Sequence, residues 1–313
     1  MKPEILMLTR IYAPTLAVLE REYTVHNLDM AADPAAFMKE VSGRVRAAVT
    51  TGLVGCDRAR IEALPKLELI ASFGNPKGTI DLAAAKERGV IVTNTPDAIY
   101  ELVAELAIGL AVSIMRKVCE TDRFLRAGNW EKQGQPMGRQ LLDKTCGIIA
   151  MGRIGRGVAR RAEAFGMSIC WHGPRRKDDV PYPYYSDLIE MARRSDCLIV
   201  CCPHLPETTG LISAAVLDAL GPDGFLVNVA RGPVVAEQAL ITALQERRIA
   251  GAALDVYWEE PHVPAALLPL DNVVMTPHMG TATLDVREGR GKKVLENLRA
   301  HFAGKPVPYP ITA

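Results

Sequence analysis

Apolar positions in the first hundred residues follow two alternating rhythms. Short unbroken runs, "ILML" from Ile5, "AAVT" from Ala47, "LELIAS" from Leu67 and "VIVTN" from Val90, are separated by stretches whose apolar residues recur every three or four positions: "APTLAVLERE", "DRARIEAL" and "DLAAAKERG". Runs of the first kind suit strands covered on both faces, and stretches of the second kind suit amphipathic helices. Their alternation predicts parallel strands joined by helical crossovers.

A second series begins near Cys146. "CGIIAM", "MSICWH", "DCLIVCC", "GFLVNV", "AGAALDV" and "NVVMT" are six strand candidates with helical patterns between most of them, the number expected of a doubly wound dinucleotide domain. Between the two series lies the longest helical pattern, from about Asp97 to Arg126, starting after Pro96 and stopped by Gly128. It is apolar almost all round in "LVAELAIGLAVSIM", which fits a subunit interface and fits packing inside one chain equally well. The closing stretch "TLDVREGRGKKVLENLRAHFAG" predicts a helix that returns to the first domain, so that domain is expected to be discontinuous. The expected fold class is α/β with two doubly wound parallel-sheet domains, residues 1–96 plus 281–313 and residues 97–280.

Length and composition agree with two domains: 313 residues with 49% hydrophobic content can bury a large core. Lysine and arginine (37) balance aspartate and glutamate (36), so the net charge of +1 supplies no field for attracting nucleic acid or an anionic membrane. The seven cysteines are odd in number and mostly in apolar strands, with no C-x-x-C spacing, as expected of reduced, buried thiols. "MKPEILMLTR" is too short and charged for a signal peptide, and charges interrupt every apolar run below membrane-spanning length. A soluble, cytoplasmic protein is the expectation.

The strand "CGIIA" feeds "MGRIGRGVARRAEAFG", where the dinucleotide fingerprint G-x-G-x-x-G appears with Ala150, Gly152 and Gly155 at its glycine positions. Gly152 lets the backbone approach a pyrophosphate, and Gly155 lets the helix pack on the strand. Ala150 must make the tight turn with a negative φ or with mild strain. An NAD site places an acid about 20 residues past the glycines. Here that position is His172, followed by Gly173, Pro174, Arg175, Arg176 and Lys177. Guanidinium groups there clasp a 2′-phosphate, so NADPH is predicted over NADH. The alternative is an exposed basic loop neutralised by Asp178 and Asp179.

Three further residues stand where strands of the second series end: Arg231 in "VNVARGPVV", Glu260 in "LDVYWEEP" and His278 in "VVMTPHMGTAT". Such strand ends form the ligand crevice of a doubly wound sheet. Hydride addition to a 2-keto acid leaves charge on the carbonyl oxygen, which calls for a proton donor, and histidine suits that task near neutrality. A carboxylate beside it favours the imidazolium, and an arginine holds the substrate carboxylate. Each residue alone has a structural alternative: a turn arginine, one of two exposed acids before Pro261, a helix-boundary histidine.

At this point the sequence resembles the D-isomer-specific 2-hydroxyacid dehydrogenase family, and within it the glyoxylate/hydroxypyruvate reductase branch. "NTPDA", "ELAIGL", "LRAGNW", "MGRIGRGVARRAEAFGM", "PETTGLI", "NVARGPVV", "LDVYWEEP" and "TPHMGTAT" carry the resemblance along the whole chain. It implies Arg231, Glu260 and His278 as the catalytic residues, with Glu260 chosen because the family's carboxylate directly precedes the proline. It also implies cofactor contacts at Gly152, Arg153, Ile154, Gly155, His172, Arg175, Arg176, Pro203, Thr208, Val229, Ala230, Asp255 and Gly280. Two Rossmann-like domains with a cleft between them, the first flavodoxin-like and substrate-binding, are further implications, as are a homodimer built on the long helix and no metal.

One departure bears on the substrate. Where the family usually reads G-V-G-Y-D-x-I-D, this chain has Gly74, Asn75, Pro76, Lys77, Gly78, Thr79, Ile80 and Asp81. The family binds the substrate carboxylate partly through backbone N–H groups at the second and third positions, and Pro76 has none. The loss is worth about 1.5–3 kcal/mol unless Lys77 replaces it or the loop shifts so that Lys77 and Gly78 donate. Gly74, Asn75, Lys77 and Gly78 are therefore the expected substrate-binding residues. The leading expectation is NADPH-dependent reduction of glyoxylate, hydroxypyruvate or a similar 2-keto acid, with NADH less favoured. The competing one is a cofactor-sensing dimeric scaffold with weak or no turnover, suggested by the altered loop. A same-fold enzyme oxidising formate or phosphite fits a 2′-phosphate site less well.

Overall fold

The computed structural model of the chain describes residues 2–76, 78–96 and 99–311. The chain divides into two compact units, Met1–Asp97 with Ala282–Ala313, and Ala98–Thr281. In the first, strands β1 (Glu4–Met7), β2 (Thr24–Asn27), β3 (Ala47–Thr51), β4 (Leu69–Phe73) and β5 (Ile91–Thr93) form one parallel sheet in the order β2-β1-β3-β4-β5. This is the flavodoxin-like order. Helices α1 (Ala13–Glu22), α2 (Pro34–Val41), α3 (Arg58–Glu62) and α4 (Leu82–Glu87) make the crossovers. Three of them begin at an aspartate whose carboxylate accepts from first-turn amides: Asp33, Asp57 and Asp81. β4 is buried at every position, as a central strand covered on both faces must be.

The second unit opens with α5 (Ile99–Met115) and α6 (Val118–Arg126). The sequence pattern predicts one helix from about Asp97 to Arg126, and the structure corrects it to two, broken at Lys117 with φ 55° (Asp97 itself lies outside the described residues). A left-handed residue ends a helix as glycine usually does, and a lysine in that place carries no sequence signal. The carbonyl of Met115, left free by the break, accepts from Arg139 N at 2.7 Å. α5 packs on α7 (Arg153–Ala164) so closely that a Cβ on Gly157 would stand 2.8 Å from Ala104 Cβ. Its apolar girth is therefore covered in large part inside the unit.

The sheet of this unit has seven parallel strands, β6 (Thr145–Ile149), β7 (Ser168–His172), β8 (Tyr184–Tyr185), β9 (Cys197–Val200), β10 (Phe225–Asn228), β11 (Gly251–Leu254) and β12 (Val273–Met275). The order is β12-β11-β10-β9-β6-β7-β8, so the winding reverses between β6 and β9. α8 (Leu188–Arg193), α9 (Ala214–Leu220) and α10 (Glu237–Gln245) pack on one face through Met191, Leu217, Leu240 and Leu244; α5 and α7 pack on the other through Ala107, Ala111 and Val158. The chain then returns to the first unit in α11 (Leu284–Phe302), which is capped by Thr283 and packs on β4 and α1.

All seven cysteines are free, and Cys56, Cys146, Cys170, Cys197 and Cys202 are buried. Burial pushes the Cys197 thiol up to about 12 and that of Cys202 up to about 11. No helix among the described residues is long and apolar enough to cross a membrane.

Candidate active site

The polar residues singled out in the second unit all follow carboxyl ends of its strands. Gly152 to Gly155 come after β6, His172 to Arg176 at and after β7, Pro203 to Thr208 after β9, Val229 to Arg231 after β10, Asp255 to Glu260 after β11, and His278 to Gly280 after β12. In a doubly wound sheet these loops share one edge, with β6 and β9 flanking the switch point where ligands bind.

The turn after β6 fits a dinucleotide pyrophosphate. Gly152 is the N-cap of α7, no side chain caps that end, and a Cβ built on Gly152 would meet nothing within 4 Å. A Cβ on Gly155 would come 2.3 Å from the carbonyl oxygen of Ala150, so only glycine lets the helix sit on this strand end. Ala150 makes the turn at φ 73°, the strained of its two options, at a cost of about 1–2 kcal/mol. Ile154 is half-buried against the core, while Arg153 is exposed and stacks over Tyr100 at 5.5 Å.

His172 Nδ1 lies 2.9 Å from the Tyr185 carbonyl, which ties the end of β7 to β8. The charges beyond it divide. Lys177 Nζ turns back to donate to the Met151 carbonyl at 3.0 Å, and Arg156 takes Asp179 at 2.7 Å. Arg175 and Arg176 are exposed and have no ion pair among the described residues. Asp179 thus neutralises a helix residue rather than the arginine pair. Thr208 serves its own loop, donating to the Pro203 carbonyl at 2.9 Å and accepting from Leu205 N. Val229 and Ala230 are buried, and Ala230 N donates to Asn228 Oδ1.

Glu260 and His278 meet directly, with His278 Nδ1 2.5 Å from Glu260 Oε2. The other carboxylate oxygen of Glu260 accepts from Tyr257 N at 3.1 Å, so the acid is held on both sides. His278 is a non-glycine residue at φ 50°, and it needs a brace. Asp255, 2% exposed, provides one: Oδ1 accepts from Thr276 Oγ1 at 2.6 Å and Met279 N at 2.8 Å, and Oδ2 from Gly280 N at 2.9 Å. Both oxygens of this candidate cofactor contact are therefore engaged within the chain. Thr276 and Tyr257 are the supporting residues that sequence reasoning missed, and only the nearness of Thr276 to His278 offered a signal.

Arg231 is exposed and lacks a carboxylate partner among the described residues, Glu260 included. Asn228 pins its loop by donating to the Arg231 carbonyl at 3.0 Å. A Cβ on the next residue, Gly232, would fall 2.1 Å from the Tyr257 carbonyl carbon, so this loop lies directly against the one that carries Glu260. The structure brings Glu260 to His278 and packs the Arg231 loop beside them.

In the first unit, Gly74 has φ 117° and donates its N–H to Thr95 Oγ1 at 2.8 Å. Asn75 is exposed, Pro76 is buried and accepts from Thr79 N at 3.2 Å, and Gly78 has φ 74°. The expectation placed on Lys77 lies outside the described residues. Arg290 of α11, which no motif pointed out, brings Nη1 to 3.9 Å from where a Cβ on Gly74 would stand.

Comparison with known proteins adds the lineage. Residues 108–280 match the family model for the NAD binding domain of D-isomer specific 2-hydroxyacid dehydrogenases. The chain is 41% identical over 293 residues to glyoxylate/hydroxypyruvate reductase A of Arabidopsis thaliana, covering 94% of each protein. It is 45% identical over 267 residues to hydroxyphenylpyruvate reductase of Plectranthus scutellarioides, covering 85% of each. The crystal structure of an NADPH-dependent glyoxylate/hydroxypyruvate reductase from Sinorhizobium meliloti, in complex with NADP and malonate, superposes with a TM-score of 0.78 at 35% identity, covering 100% of this chain and 97% of that one.

Proposed function

The chain belongs to the D-isomer-specific 2-hydroxyacid dehydrogenase family, and from that premise we propose that it is an NADPH-dependent reductase of 2-keto acids such as glyoxylate or hydroxypyruvate, forming the D-2-hydroxy acid. The observation that carries this reading is the 2.5 Å pair of His278 Nδ1 and Glu260 beside the Arg231 loop. The names of the relatives share the 2-keto acid group and differ in side chain.

A bound reduced nicotinamide supplies the hydride. Arg231, whose guanidinium has no carboxylate of its own, holds the substrate carboxylate. His278 uses Nδ1 on Glu260, which leaves Nε2 to hold a proton toward the carbonyl oxygen. As the keto carbon gains its C–H bond and the C=O π bond opens, Nε2 gives that proton to the oxygen, while Glu260 on Nδ1 holds the ring in position. Arg175 and Arg176, exposed and without an ion pair among the described residues, support NADPH over NADH. A homodimer fits the exposed apolar side chains of Val118, Leu125, Trp130 and Met137 in and after α6.

NADPH oxidation against a panel of 2-keto acids tests the reading. Turnover that falls by about 10²–10⁴-fold in His278→Ala is expected. Micromolar cofactor binding without any turnover would favour a cofactor-sensing scaffold instead.

A further inference from the structure

An apolar hollow of about 360 Å³ opens within the second unit against the Glu260–His278 pair. Its remaining walls are Tyr257, Pro261, Val263, Leu268, Met275 and Pro277, with Thr276 between the last two. The two hydroxyls among these residues are already engaged. Thr276 Oγ1 bonds Asp255, and Tyr257 OH donates to the Thr276 carbonyl at 3.0 Å. Apart from the acid–base pair itself, the hollow offers a ligand no free polar side chain. Leu268, one of these walls, is 61% exposed.

We propose that this hollow receives the substrate's side chain, so that the preferred substrates are 2-keto acids bearing an aromatic or bulky aliphatic group rather than glyoxylate or hydroxypyruvate; this rests on the reductase reading above. The hollow shares Glu260 and His278 as walls, and in this proposal a keto group presented to that imidazole turns its substituent toward it. An apolar cavity of roughly 150 Å³ admits a benzene ring, so this one has room for a phenyl group and its methylene. Burying such a group is worth about 10- to 100-fold in binding. A hydroxylated side chain gains no hydrogen bond from these walls and is disfavoured only modestly. Glyoxylate leaves the hollow empty of substrate altogether.

Steady-state kinetics with NADPH and four acids, phenylpyruvate, 4-methyl-2-oxopentanoate, glyoxylate and hydroxypyruvate, test the proposal. The expected result is a kcat/KM for phenylpyruvate at least 10-fold above that for glyoxylate. Leu268→Asp, an exposed change that spares the core, and Val263→Trp, which fills the hollow, are each expected to lower the phenylpyruvate-to-glyoxylate ratio at least 10-fold, mainly through KM for phenylpyruvate. Glyoxylate turnover equal to or above that of phenylpyruvate, or a ratio unmoved in both variants, overturns the proposal and leaves the reductase reading standing. Absence of turnover with all four acids overturns both.

Discussion

Asp255 accepts hydrogen bonds from Thr276, Met279 and Gly280, the neighbours of a histidine to which it makes no hydrogen bond itself. Its carboxylate holds a loop whose central residue sits at φ 50°, and each buried N–H it satisfies would cost about 1–3 kcal/mol if left unpaired. Asp255→Asn turns one acceptor into a donor. The expected outcome is a kcat/KM reduced by about 10- to 100-fold with the NADPH dissociation constant changed less than threefold, measured by steady-state kinetics and fluorescence titration. A large change in cofactor affinity instead would assign the carboxylate to the nicotinamide. At the other end of the site, Arg175 and Arg176 have no ion pair among the described residues, so removing both is expected to delete charge-assisted hydrogen bonds to a 2′-phosphate. In the double variant Arg175→Ala/Arg176→Ala, KM for NADPH is expected to rise about 10- to 100-fold and KM for NADH to stay within threefold.

At the scale of elements, α5 and α7 are held together by packing and by one acid. Glu101 accepts from Arg161 at 2.8 Å and Arg160 at 2.7 Å, and these bonds hold its carboxyl below the usual carboxylate range. A depressed native value means that the contribution is complete above the unfolded carboxylate range and is lost as pH falls through the lower native one. Glu101→Gln is therefore expected to lower the urea midpoint at pH 7, and the gap from the parent protein is expected to close below about pH 3. Legibility varied among elements for related reasons. α1, with Pro14 in its first turn, and the six apolar strands after Cys146 announce themselves by period and punctuation. β2, an edge strand reading "TVHN", and the two-residue β8 bury too little to leave a pattern.

For the whole molecule, the exposed apolar side chains of Val118, Leu125, Trp130, Met137 and Leu142 follow one another in and after α6, whereas α5 carries its apolar surface largely inside its own unit. A dimer is therefore proposed on the segment from Val118 to Leu142, whereas the family resemblance places it on the long helix as a whole. Light scattering at micromolar concentration is expected to give twice the chain mass, and Leu125→Glu with Trp130→Ala to give the chain mass with retained cofactor binding. A parent protein that stays monomeric would remove this surface from the account.

The sequence by itself determined the two α/β sheets, the glycine turn after β6, the arginine pair after β7 and the three side chains offered for chemistry, because strand and helix periods and turn residues are properties of neighbouring positions. Tertiary structure alone decided which atoms meet. That Asp255 braces the His278 loop, that Asp179 goes to Arg156 rather than to Arg175 or Arg176, and that an apolar hollow flanks the acid–base pair all depend on contacts between residues about 20 positions apart. Spacing along a chain specifies faces and ends of elements, while the partner of a carboxylate depends on how those ends are brought together in the packed sheet.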